Sequence, residues 1–553
     1  MRASSASPGP GEPPRPSGRG VLLLVGLAAA LRVYPLHVFF LHPDQEWIPS
    51  MAMRSILEHS WRPEILTYPS ALMETLRVFY LGVYVAGRAL GAFADRVDLA
   101  AAAVSHPLAF LLAGRLWSCL LGIATVPVIV WLGACLHGRR AGLLGGLVLA
   151  VAFLHVRESH YGTLDVPAAA CFAAALLAAE RHRARGDGRA LVVAAALTGA
   201  AVAHRYQLAV AGLSLGTAVA LRGGARSTLS RRTLVATMVG VGVFAVLSPY
   251  TLLEPARAWH DVSAQLRGSF GSTAIPSAGL GTLWSAAVGL PVCALALAGV
   301  VASLRAAPAA TAVVLAAGLP YLAALAMAER VFARYLVPVV PLAALFAGVG
   351  LDAALGLLPG RIVRVAGVLL VVGAIADPFG RSLALDRLLA RPDTRVLAGR
   401  WLAGHVERGE PVLFAASPYA NPLAPGTAEW ERVSPALVAR LDARGLPRIR
   451  PVYRDGSPPV RYAVTAGHPV LQPWVLTLPE TRALVAARGR AVATFEGVAA
   501  QPGLLYELPD GNFVPLRGLT RVTRPGPNLT IWGLGPEVAS AASLAGQGTG
   551  GGP

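Results

Sequence analysis

Two short acidic turns carry the residues best suited to chemistry in this chain. The first, His42-Pro43-Asp44-Gln45-Glu46, follows the apolar run Val21–Leu41 directly. The second runs from Arg157 through Glu158, His160 and Tyr161 to Asp165. An acid where a hydrophobic helix ends must be paired or kept ionised, and such residues usually serve a purpose. A carboxylate can take a proton from a hydroxyl or an amine, so Asp44, Asp165 and Glu46 are the candidate catalytic groups. Other turns add His204-Arg205-Tyr206, Tyr250, Glu254, Glu329-Arg330 and Arg334-Tyr335. Arginine binds phosphate oxygens through paired hydrogen bonds, which makes Arg205, Arg334 and Arg330 the candidate phosphate contacts. His42, His160, Tyr68, Tyr206 and Tyr335 complete the candidate pocket. One histidine beside two acids falls short of a metal-ligand set. No metal ligand is assigned, and a divalent cation stays open as a cofactor. Each residue also has a structural reading. Asp44 can be a solvated cap, Asp165 the cap of a helix beginning Val166-Pro167, and Arg334 an interfacial anchor.

The elements that would position these turns are apolar. Of 553 residues, 55% are hydrophobic and 14% charged, whereas soluble domains carry about a quarter charged. Apolar stretches of roughly 15–22 residues recur, close to the length that crosses a bilayer. The expected fold is a polytopic α-helical membrane protein of about eleven spans, by the hydropathy rule. They lie near 21–40, 108–136, 141–156, 166–180, 190–203, 207–221, 233–249, 285–304, 309–327, 336–355 and 365–378. The formal net charge is +18, and all 48 basic residues other than histidine are arginine. Many arginines sit in short loops between apolar runs: Arg139 and Arg140, Arg181 to Arg189, Arg222 to Arg232, Arg361 and Arg364. That is a topology signal rather than a nucleic-acid footprint. It places the N-terminus in the cytoplasm of a bacterial cell, spans in the inner membrane, and the C-terminal domain in the periplasm. Every acidic or histidine-bearing turn named above then falls on the outer side.

Residues 1–20 are rich in Pro, Ser, Gly and Arg and read as a disordered cytoplasmic segment. Residues 21–378 form the transmembrane domain, with a long first outer loop at 42–107 whose pieces Ser50–Leu57 and Ala71–Leu90 have the spacing of interfacial helices. Residues 379–545 regain charge, Pro and Gly and read as a soluble α/β domain. Strands are expected at Val412–Ala416, Arg461–Val464, Ala491–Phe495 and Leu504–Leu508, and helices at Asp393–Val406, Pro435–Arg444 and Pro479–Arg488. Residues 546–553 are a flexible tail. The four cysteines lie within or beside apolar runs and read as small buried residues. The triplet Asn528-Leu529-Thr530 is set aside as a chance glycosylation motif.

Four segments in order resemble the GT-C integral-membrane glycosyltransferases, in the branch of protein O-mannosyltransferases and ArnT-like lipid A aminoarabinose transferases. They are Arg32 with His42-Pro43-Asp44-Gln45-Glu46 and Tyr68-Pro69, then Arg157 through Asp165-Val166-Pro167, Ser248-Pro249-Tyr250, and Ala333-Arg334-Tyr335-Leu336-Val337-Pro338. The resemblance implies transfer of a sugar from a polyprenyl-phosphate carrier to a glycan, lipid or protein acceptor at the outer face, usually with inversion. It implies that Asp44 is the catalytic base. Two departures stand out. The family usually has Glu directly after that Asp, where this chain has Gln45. Its Lys-Tyr pair after the fifth span is here His204-Arg205-Tyr206. The rival reading is a transporter or flippase. Transporters place charge at the bilayer midplane on broken helices and carry internal repeats; no repeat is visible here.

Overall fold

The computed structural model describes residues 16–38, 42–270, 279–359, 363–407, 409–414, 418–422, 434–444, 450–452, 460–507 and 512–535. The chain divides into two compact units. One comprises residues 1–36, 61–78 and 112–386; the other comprises 37–60, 79–111 and 387–553.

The first unit is helical, and every expected apolar run centres on a helix. Among the described residues, four helices are long and apolar enough to cross a membrane: Gly18–His37, Pro107–His137, Pro308–Met327 and Val365–His405. The number rises to six if each of two bent pairs is one span. Gly188–His204 and Val340–Gly356 are shorter apolar helices.

The bends have local causes. Leu280–Val288 and Leu290–Ala306 meet at 96°, where Gly289 takes a φ of +89° and Pro291 begins the next helix. Glycine alone adopts that φ without strain, and proline removes a helical donor. Arg139–Val151 and Phe153–Ser159 meet at 56° about the extended residue Ala152. A broken helix frees carbonyls that hydrocarbon cannot satisfy. Arg32 donates to Ala150 O (2.8 Å) and Leu149 O (3.2 Å), and Ser382 donates to Val151 O (3.2 Å). The Arg32 guanidinium also donates to Ala28 O and to His155 Nδ1.

Helices of this unit cross on glycine. A Cβ on Gly348 would lie 2.2 Å from Gly145 N, and one on Gly199 would lie 2.0 Å from Gly240 O. Small residues let backbones approach where no hydrophobic effect draws helices together.

The second unit contains helix Pro43–Leu57, helix Arg96–Ser105 and a five-stranded sheet. Its strands are β1 (Pro411–Phe414), β2 (Arg450–Val452), β3 (Tyr462–Gly467), β4 (Gly489–Phe495) and β5 (Asn528–Leu534), in the order β2-β1-β3-β5-β4. β1 pairs in parallel with β2 and β3, while β5 runs antiparallel to β3 and β4. One face of the sheet buries Val412, Phe414, Val464, Leu529 and Ile531 with Ala398 and Leu402 of helix Thr394–His405.

Three strands and all three helices expected in this region form. The expected strand Leu504–Leu508 does not: Leu505 makes an isolated bridge to Arg517, and residue 508 lies outside the described residues. β2 and β5 were not foreseen. β5 contains the set-aside triplet, and Asn528 is structural. Its side chain accepts from Gly497 N and Val498 N and donates to Val498 O.

Candidate functional site

The polar turns of the first unit converge at the ends of its helices. Asp165–Arg185 and Gly188–His204 pack side by side as a hairpin. The start of one and the residue after the other therefore lie at the same end. There Arg205 Nε donates to Asp165 Oδ1 at 2.6 Å, and Nη2 contacts the same oxygen. Both side chains are buried. The arginines of the connecting loop occupy the opposite end, which is the separation that the short-loop pattern predicts.

Aromatic rings gather the cations. Arg205 lies over the Tyr335 ring, 4.9 Å from its centroid. Arg334 and Arg330 lie over Phe332 at 4.7 and 5.1 Å, and the two rings touch, with centroids 5.1 Å apart. Rings hold a guanidinium by its face and leave its N–H edge directed elsewhere. Tyr321 donates to Tyr335 O at 2.9 Å and fixes this turn. The phenols of Tyr335, Tyr321 and Tyr68 lie within electrostatic range of Arg205. Three guanidinium groups and one buried carboxylate, Asp165, are thus brought together from three sequence regions. All three predicted phosphate contacts belong to this cluster.

Other predicted residues are placed differently. Tyr206 donates to Leu66 O at 3.1 Å and pairs with Thr251 Oγ1 at 3.0 Å. It joins the segment before Tyr68 to the Ser248-Pro249-Tyr250 turn. His160 faces Asp386, with Nε2 and Oδ1 3.4 Å apart, an acid outside the predicted set. Arg157 and Glu158, both fully buried, pair at 2.8 Å. Outside the spans, Glu254 receives Arg62 Nε at 2.6 Å and Arg257 Nη1 at 3.1 Å, and these hydrogen bonds hold its carboxyl below the usual range.

In the second unit, Asp44 and Glu46 fall in the first turn of helix Pro43–Leu57, behind the buried His42. The side chains of Asp44 and Glu46 lie outside the described residues. Among the described residues no three His, Cys, Asp or Glu side chains gather into a metal-ligand set.

Asp386 and Tyr321 were missed from sequence. Asp386 lies near the end of a long helix, beyond the run that hydropathy marks, and Tyr321 sits inside an apolar helix beside Pro320. A lone polar residue on an apolar stripe was the available signal.

Residues 110–252 match the family described as dolichyl-phosphate-mannose-protein mannosyltransferase (PMT_2). No curated protein sequence matches the chain. Two solved structures of ArnT from Cupriavidus metallidurans superpose over nearly the full length. The one bound to undecaprenyl phosphate is 16% identical, covers 93% of this chain and 98% of its own, and gives a TM-score of 0.52. The apo state is 17% identical, covers 92% and 97%, and gives 0.53. At such identity the likeness is one of fold, and the chain has the GT-C glycosyltransferase fold.

Proposed function

We propose that this protein is a multi-pass inner-membrane glycosyltransferase. It takes a sugar from a polyprenyl-phosphate carrier and passes it, with inversion, to an acceptor on the periplasmic face. The observation that carries this reading is the cluster of Arg205, Arg334 and Arg330 over the Tyr335 and Phe332 rings, anchored by Asp165. A phosphodiester donor needs cations at its phosphate and a base near its anomeric carbon. The cluster supplies the first, and Asp44 is assigned as the second. The ArnT structure that holds undecaprenyl phosphate shares the fold, and a carrier phosphate is the ligand that this set of guanidiniums fits best.

In the proposed step an acceptor oxygen or nitrogen attacks the anomeric carbon while Asp44 takes its proton. The bond between that carbon and the phosphate oxygen breaks, and its electron pair leaves with the carrier phosphate. Preorganised cations stabilise charge where it develops, without reorganising at the moment of reaction. Asp165 keeps Arg205 in place for this.

The test is direct. Purified full-length protein with polyprenyl-phosphate sugars and envelope extract should release carrier phosphate and label an acceptor. Movement of intact donor across vesicles without bond cleavage would replace this reading with transport.

A further inference from the structure

The contact between His160 and Asp386 lies apart from the guanidinium cluster. We propose that these two side chains share a single proton, and that this proton clasps the turn carrying Asp165 to the last helix of the first unit.

The argument begins at the ring. His160 Nδ1 lies 2.9 Å from Val156 O. A carbonyl only accepts, so Nδ1 bears the hydrogen and the neutral ring presents a bare lone pair at Nε2. That lone pair faces Asp386 Oδ1 at 3.4 Å, with the side chains 0% and 8% exposed. Among the described residues neither atom has a hydrogen-bond partner. Two acceptors facing each other away from water repel, and each also forfeits a hydrogen bond that burial makes costly to lose. One added proton removes both penalties. The count is the same whether a carboxyl donates to imidazole or an imidazolium donates to carboxylate.

Among the described residues no other side chain donates to either atom. Arg32 acts on both groups and Arg115 on His160. Arg32 Nη2 donates to His155 Nδ1 at 3.0 Å, which fixes His155 as the opposite tautomer and occupies that donor. Glu158 is paired with Arg157. Tyr161 lies in range of Arg115.

Placement gives the clasp its consequence. His160 ends helix Phe153–Ser159 and stands five residues before Asp165. Asp386 lies in the final turn of helix Val363–Leu389, one turn beyond Ser382, which already holds Val151 O. When hydroxide removes the shared proton as water, two acceptors remain and the turn is released. Arg205 then loses a fixed partner. The effect on catalysis rests on the transferase reading; the shared proton does not.

The variants Asp386→Asn, Asp386→Leu and His160→Leu test this in the full-length protein, by unfolding temperature and carrier-phosphate release from acid to alkaline pH. Asn supplies an N–H to Nε2 without a titrating proton. Wild type should lose stability and rate as pH rises, with rate falling up to about tenfold per pH unit for one proton. Asp386→Asn should keep the clasp and flatten both profiles, while the two Leu variants should be impaired at every pH and not add when combined. An Asp386→Asn protein whose unfolding temperature follows the wild-type pH profile would overturn the shared proton. If unfolding behaves as expected but no donor is ever cleaved, the transferase reading fails and the clasp stands.

Discussion

At the residue scale the Asp165–Arg205 pair is costly to build and more costly to break. Removing one partner from a buried pair strands a charge, at about 3–5 kcal/mol. Arg205→Ala should therefore unfold more easily by that amount in denaturant melts, and Asp165→Asn with Arg205→Gln should recover most of the loss. A double variant no better than Arg205→Ala would show that the two do not act as a pair. Arg334 separates binding from architecture. It stacks on Phe332 from a turn already held by Tyr321, so Arg334→Ala should weaken donor binding about tenfold or more, the scale of a charge-assisted hydrogen bond. Its unfolding temperature should change little. Asp44→Asn keeps the shape and removes the proposed base, so it should bind donor and release no carrier phosphate. Wild-type turnover in that protein would end the assignment.

At the element scale the first unit depends on close backbone contact. Gly348 meets Gly145 where helices Arg139–Val151 and Val340–Gly356 cross. A methyl there must push the helices apart, at about 1–3 kcal/mol. Gly348→Ala should lower the unfolding temperature, whereas Gly356→Ala, with open space around it, should not. The sheet of the second unit has its own pH limit. His468 Nδ1 accepts from Val470 N and Leu471 N, and burial pushes its pKa down to about 4. The unfolded chain takes a proton from the ordinary histidine pKa near 6.5 downward, where the folded chain refuses it. Stability is therefore full above that pH and is lost as pH falls toward 4, by on the order of 3 kcal/mol. His468→Gln should remove this part of the acid branch in pH-dependent melts.

At the scale of the whole molecule the claim that matters is sidedness. In the proposed topology, drawn from the arginine-rich short loops, the turns near residues 44 and 165 and the C-terminal domain face the periplasm. All four cysteines lie in the first unit, one buried and three half-buried. After their replacement, single cysteines at Gln45 and at the exposed Gln207, which follows Arg205 at the Asp165 end of the hairpin, should react with an impermeant reagent added outside, and one at Arg226 only after permeabilisation. Labelling of residues 45 and 207 from opposite sides would overturn the proposed sidedness.

The sequence by itself determined the helical membrane architecture and the α/β character of the C-terminal region, and it singled out the three arginines that the proposed function gives to the carrier phosphate. These follow from properties carried by each segment alone: apolar length, alternation, and charge at helix ends. Asp165 was legible because a carboxylate at the start of an apolar helix is conspicuous. Its partner was legible only as a type, since residues 165 and 205 meet through hairpin packing. Tertiary structure alone decided that Arg32 satisfies a broken helix, that Tyr206 is a tie between loops, and that His160 turns to Asp386. It also decided that β2 and β5 join the sheet. Each of those outcomes depends on which polar groups are brought face to face, and that is known only once distant segments have packed.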